Sequence, residues 1–243
     1  MKLIIEIEPT RRLEKLSRLL RRLINIPCIS MVSIPDAPLG KPKASALALA
    51  SYAEHYGMPA IAHMRLRDIN RIAFEQLVWG AALIGVRRVL FLRGDKPLNA
   101  TDVNDVTTES AAEYMHAHRD RLQLEFGVYL SLRHPLDAVR RRIHRCKADF
   151  YTVNWFNPRA REHKNIVDEV HSLGARIYAY AILGERNIIP GLEDQPVHAF
   201  DELPSLLESY SDAGVDGVIL SAPGAMHTLL DIIEKRVCSR ERW

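Results

Sequence analysis

Cysteine is scarce: Cys28, Cys146 and Cys238 are the only three in 243 residues, far apart and without a Cys-x-x-Cys or Cys/His spacing. Neither a disulfide framework nor a structural zinc site is expected, and the setting expected is reducing and cytoplasmic. Charge of one sign is missing as well. Lysine plus arginine number 33 against 30 for aspartate plus glutamate, a net charge of +3, too slight to point to nucleic acid or a membrane surface. No apolar run approaches the roughly 18 residues of a membrane span, and Met1-Lys2-Leu3-Ile4-Ile5-Glu6 reads as a strand, not as a cleavable leader. Neither Gly-x-Gly-x-x-Gly nor Gly-x-x-x-x-Gly-Lys-Ser/Thr occurs. No Rossmann or P-loop nucleotide site is therefore expected.

What is present is an ordinary globular composition, 47% hydrophobic and 26% charged, enough for a large core. Short β-branched runs alternate with longer segments of helical period along the whole chain. Strands are predicted at Leu3 to Glu8, Cys28 to Ile34, Ala60 to Met64, Arg88 to Leu92, Glu125 to Leu130, Phe150 to Val153, Arg176 to Leu183 and Val218 to Ser221. Between them lie a helix capped by Thr10 whose apolar stripe is Leu13, Leu16, Leu19, Leu20 and Leu23, and a second capped by Ser45 and stopped by Gly57. Further helices are predicted over Asp68 to Ile84, Pro135 to Arg145, Arg159 to Leu173, Asp201 to Ala213 and Ala225 to Arg236. About eight βα units in this length predict a single (β/α)8 TIM barrel over residues 1–243. The long irregular segments follow the second, fourth and seventh strands, which gathers them at the C-terminal face of such a barrel.

Polar residues at strand ends are costly to bury there unless they serve a ligand. Glu6 interrupts an apolar strand, His63 ends the third, and Arg93-Gly94-Asp95 ends the fourth. Each also has a plainer role available: a solvated carboxylate, a hydrogen-bonded structural histidine, a loop. Gly94 permits close backbone approach, while Arg93 and Asp95 offer a donor fork and an acceptor.

Three segments, Ile5-Glu6-Ile7-Glu8-Pro9, Ile61-Ala62-His63-Met64-Arg65-Leu66-Arg67-Asp68-Ile69-Asn70-Arg71 and Gly85-Val86-Arg87-Arg88-Val89-Leu90-Phe91-Leu92-Arg93-Gly94-Asp95-Lys96-Pro97, resemble the methylenetetrahydrofolate reductase family in order and spacing. The resemblance implies a barrel with FAD at its C-terminal face, reduced by NADH or NADPH, and a 5,10-methylene-tetrahydropterin substrate converted to its 5-methyl form. It implies that Glu6 is the general acid that opens the substrate's imidazolidine ring, and that Asp95 stabilises the resulting iminium and tunes the flavin. His63, Arg93 and Gly94 correspond to flavin-contacting positions, as does Ser33 more loosely, and Asn154 to an amide that bonds the pterin. His134 and the pair Arg141 and Arg142 correspond to groups around the FAD diphosphate and adenosine.

The chain also departs from that pattern. Cys146-Lys147-Ala148 stands where the family has Ala-Gly-Ala, and Ile188-Ile189-Pro190-Gly191 comes late for the family's Pro-Gly segment, after Gly184-Glu185-Arg186-Asn187. Three functions therefore stay open: a flavin-dependent reductase, a pterin-binding barrel of another class such as a methyltransferase, and a non-catalytic partner subunit. A small folate or pterin is the expected partner, with a homo-oligomer or an electron-donating subunit compatible; nucleic acid, membrane and metal are not expected. The basic face of the first helix, Arg11 to Arg22, reads as solvated exterior or as an assembly surface.

Overall fold

The computed structural model describes residues 1–184, 192 and 194–238. In chain order its main elements are β1 (Lys2–Glu6), α1 (Leu13–Ile24), β2 (Ile29–Ile34), α2 (Ala46–His55), β3 (Ala60–Arg65), α3 (Arg71–Leu83), β4 (Arg88–Leu92), α4 (Thr108–Ala117), α5 (Arg119–Leu122) and β5 (Glu125–Ser131). They continue with α6 (Leu136–Cys146), β6 (Phe150–Asn154), α7 (Arg161–Ser172), β7 (Arg176–Leu183), β8 (Val197–His198), α8 (Leu203–Asp212), β9 (Gly217–Ser221) and α9 (Met226–Ile232). Every pairing is parallel, and the ring closes through β6 to β7, β7 to β9 and β9 to β1. This is the (β/α)8 barrel that the alternation predicts, with β9 in the eighth place and the two-residue β8 riding on the end of β7.

Strand period explains how the barrel fills. Side chains that alternate inward form a small cluster of Ile4, Met31, Ile61, Leu90, Phe150, Tyr178 and Ile219, separate from the larger core between strands and helices. Gly127 belongs to that inner layer because there is no room for more: a Cβ there would come within 2.2 Å of the Phe150 ring. Overpacking of that kind costs about 1–3 kcal/mol.

Local chemistry sets the helix starts, and it corrects two expectations. Ser45 caps α2 and Asn70 caps α3, each accepting an N–H from three residues on. Thr10 does not cap α1; its hydroxyl accepts the N–H of Arg12, and the helix begins only at Leu13 without a side-chain cap. The helix α4, closed by a reciprocal Thr107–Ser110 capping box, was not foreseen in the polar stretch after β4. The absence of a disulfide is also corrected. Cys28, just before β2, is bonded to Cys238 beyond α9, with Cα atoms 5.5 Å apart, while Cys146 is free and buried. Among the described residues no helix is long and apolar enough to cross a membrane.

Candidate active site

Two residues further along β1, β3, β5 and β7, the inner layer turns from apolar to polar. Ile4 is followed by Glu6 on β1, Ile61 by His63 on β3, Gly127 by Tyr129 on β5, and Tyr178 by Tyr180 on β7. These four side chains form one layer of the barrel drawn from alternate strands. They floor a cleft of about 1650 Å³ at the C-terminal face. Ordinary ligand pockets hold about 300–1,000 Å³, so the cleft has room for a dinucleotide and a second ligand together.

Glu6 is partly exposed toward the cleft, and its carboxyl accepts a 2.7 Å hydrogen bond from the Ser221 hydroxyl. Burial raises its pKa from the ordinary carboxylate value, against the pull of the Ser221 hydrogen bond. His63 is buried, with Nε2 2.8 Å from Ser33 Oγ and 3.3 Å from the Tyr180 hydroxyl. Loss of water pushes its pKa down to about 3, so the ring is neutral. Tyr129 is pushed up to about 12, chiefly by burial, and its ring sits 6.2 Å from that of Tyr180.

The rim is built from the long loops. Arg65, buried at the end of β3, gives two hydrogen bonds to Asp68 and one each to the carbonyls of Ala37 and Asp95. One guanidinium thus fastens the loop after β2 to the loop after β4. Gly94 turns beside it with φ near +80°, and a Cβ there would lie 3.0 Å from the Arg65 side chain. Gly40 is required more sharply, since its φ is +69° and a Cβ would fall 2.1 Å from the Lys96 carbonyl oxygen. Asp95 faces the cleft and accepts the N–H of Leu39 at 3.0 Å, while Arg93 reaches Asn104 at 2.9 Å.

Glu6, His63, Arg93, Gly94, Asp95, His134, Arg142 and Asn154 all line this one cleft. Ser33 does not: it is fully buried, with its Oγ 2.8 Å from the His63 ring. Arg141 is exposed and points away from the cleft lining, whereas Arg142 lines it and is paired with Glu109 at 3.1 Å. Helix period gives the reason, because only one of three consecutive arginines can share a face with the cleft. Arg140 is taken up by Glu169. Asn154 Nδ2 donates to Gln195 Oε1 at 2.6 Å and its Oδ1 accepts the N–H of Trp155, so Gln195 extends the amide into the cleft. Residues 185–191, including the displaced Pro190-Gly191, lie outside the described residues.

Tyr129, Tyr180, Ser221, Gln195 and Arg65 escaped the reading of strand ends. The first three could have been found by carrying the inward period of β5, β7 and β9 to the strand tops. No sequence signal marks Gln195.

The donor set fits a flavin dinucleotide. Arg93, His134 and Arg142 line the cleft, where N–H groups suit a diphosphate, and neutral His63 with the Tyr129 and Tyr180 rings suits a planar ring.

A sequence model of the family described as methylenetetrahydrofolate reductase matches residues 6–130. No protein of curated function matches the sequence. Among solved structures, a chain of the tryptophan synthase complex of Pyrococcus furiosus superposes with TM-score 0.60 at 12% identity, over 96% of each chain. A structure titled 3-hexulose-6-phosphate synthase gives TM-score 0.53 at 14% identity, over 96% of this chain and 98% of the other. At such identities these likenesses establish the barrel and nothing of its chemistry.

Proposed function

Because the chain belongs to the methylenetetrahydrofolate reductase family, we propose that it reduces the methylene carbon of a 5,10-methylene-tetrahydropterin, tetrahydrofolate or a close relative, to a methyl group. The proposal includes FAD as cofactor and NADH or NADPH as electron source. The observation that carries it is the Glu6 carboxyl, partly exposed at the floor of the cleft, held by the Ser221 hydroxyl at 2.7 Å and with its pKa raised by burial.

Opening the five-membered ring of the substrate needs a proton on its departing nitrogen. A carboxyl whose pKa is raised by burial holds its proton to higher pH than an exposed one and is the better donor for it. As the carbon–nitrogen bond breaks, positive charge develops on the methylene group, and the Asp95 carboxylate on the facing loop lowers the energy of that charge. Neutral His63 adds no cation to the floor of the cleft. Asn154, through Gln195, and Tyr129 offer hydrogen bonds to the polar edge of a pterin. Bound FAD would supply the hydride that completes the reduction, held by Arg93, Gly94, His134 and Arg142.

Reconstitution with FAD tests the proposal. Removal of unbound cofactor should leave a flavin spectrum that bleaches on addition of NADH or NADPH, and methylene-tetrahydrofolate should then yield the 5-methyl product. A protein that stays colourless and forms no product would overturn the reductase and turn attention to the methyltransferase or subunit alternatives.

A further inference from the structure

The cleft does not end at the barrel mouth. It continues outward between α1 and α9, lined on one side by Arg12, Lys15 and Arg18 and on the other by Gly224, Met226 and His227. The three cations recur every third residue, so they follow one flank of α1 beside its apolar stripe for about 9 Å. One turn further on, Arg22 ties the two walls together through Asp231 on α9 and through Glu234, at 3.1 Å, just beyond it. Arg12, Lys15 and Arg18 are exposed, and among the described residues none of their side chains has a carboxylate partner. Of the acidic residues that line the cleft from the β1–α1 side beyond Glu6, Glu8 is held by Lys43 at 3.2 Å, which leaves Glu14 against three cations. Like charges one turn apart repel each other, and an anion between them removes that repulsion. The groups that suit a flavin diphosphate, Arg93, His134 and Arg142, stand after β4, after β5 and on α6, across the barrel from this groove.

We propose that this groove binds an anionic arm of the pterin substrate, one that carries two or more carboxylates, through Arg12, Lys15 and Arg18. The inference rests on Glu6 being the proton donor. Glu6 ends β1, and Ser221, which holds its carboxyl, ends the neighbouring β9. The departing nitrogen that takes the proton is thereby placed at the side of the mouth from which the groove leads away. In a tetrahydrofolate that same nitrogen carries the aminobenzoyl-glutamate arm, so an arm whose nitrogen lies against Glu6 leaves past Pro223 and Gly224 toward the cations. Lysine and arginine on exposed, flexible stems hold carboxylates by charge more than by fixed geometry. The groove therefore selects an arm by its number of negative charges, and each glutamate added through its γ-carboxyl brings one more.

The test is a set of dissociation constants for the full chain with FAD present, measured at low ionic strength with tetrahydrofolate, its tri-γ-glutamate and p-aminobenzoyl-triglutamate, the arm without the pterin. The triglutamate should bind several-fold more tightly than tetrahydrofolate, and added salt should erase the difference, which needs no variant. The combined substitution Arg12→Gln, Lys15→Gln and Arg18→Gln should weaken the triglutamate by about tenfold, the scale of three exposed ion pairs. The combination Arg11→Gln, Arg21→Gln and Arg145→Gln removes the same net charge from exposed positions outside the cleft lining and should leave the binding within about twofold. Equal affinity for the two tetrahydrofolates, or equal weakening by the two combinations, would overturn the proposal. So would a first combination that raises the KM for NADPH in flavin bleaching and spares the triglutamate, since the groove would then serve the phosphates of the electron donor. Binding of the arm alone that depends on Arg12, Lys15 and Arg18, in a protein that reduces no pterin, would uphold the groove and overturn the reductase instead.

Discussion

The Asp95 carboxylate accepts the backbone N–H of Leu39 at 3.0 Å, so the residue assigned to face a developing cation also pins the loop after β2 to the loop after β4. The two loops meet again where Leu98 donates to the Gly40 carbonyl. Charge and loop order are consequently carried by one side chain and have to be separated.

Two substitutions at Asp95 separate them. Asparagine keeps an oxygen for Leu39 and removes the charge, whereas alanine removes both. If electrostatics dominates, Asp95→Asn should slow pterin reduction by roughly 10²-fold and Asp95→Ala by little more. If loop order dominates, Asp95→Asn should retain near-normal rates and only alanine should fail. Single-turnover rates with reduced enzyme decide between them.

Acid should destabilise the fold through His63. Its pKa is 6.5 when solvated and about 3 in the barrel, so the unfolded chain binds a proton that the folded chain does not. The sign follows: His63 costs no stability above pH 6.5, and stability falls as pH drops below it, by about 1.4 kcal/mol per unit for one proton until the folded group titrates. Denaturant unfolding between pH 7 and pH 4 should show a shallower slope for His63→Asn. Equal slopes would mean that the imidazole is not neutral in the fold.

Cys28 and Cys238 tie the entrance of β2 to the end of the helical segment Ile233–Val237 that follows α9, across 210 residues. Under non-reducing denaturing conditions one free thiol, Cys146, should react with a thiol reagent, and three after reduction. Closing so long a loop stabilises by up to about 5 kcal/mol in the chain-entropy description, so reduction should lower the thermal midpoint. Three reactive thiols without reductant would show the bond to be absent in the purified protein.

Most of the barrel was legible because strand and helix periods differ and the β4 and β7 limits are set by abrupt changes of residue type at Arg88, Leu92, Arg176 and Leu183. The helix α4 was not, since its Thr108-Glu109-Ser110 start continues a polar loop without a break. In the site, Glu6, His63 and Asp95 could be read from strand ends and from a resemblance carried by three short segments between Ile5 and Pro97. Arg65 could not be assigned a place, because its partners at Ala37, Asp68 and Asp95 lie on three different segments brought together only by the closed barrel. The Cys28–Cys238 bond was invisible for the same reason: neighbouring ends of a ring are the most distant points of a sequence.

The central claim is that Glu6 supplies the proton for pterin reduction, and the most direct measurement is the rate of each half-reaction in Glu6→Gln loaded with FAD. Pterin reduction should fall by about 10²–10⁴-fold while flavin bleaching by NADH or NADPH proceeds at a rate similar to that of the unsubstituted enzyme, because only the former needs a proton on the substrate nitrogen. Equal loss in both half-reactions, or undiminished pterin reduction, would contradict the account.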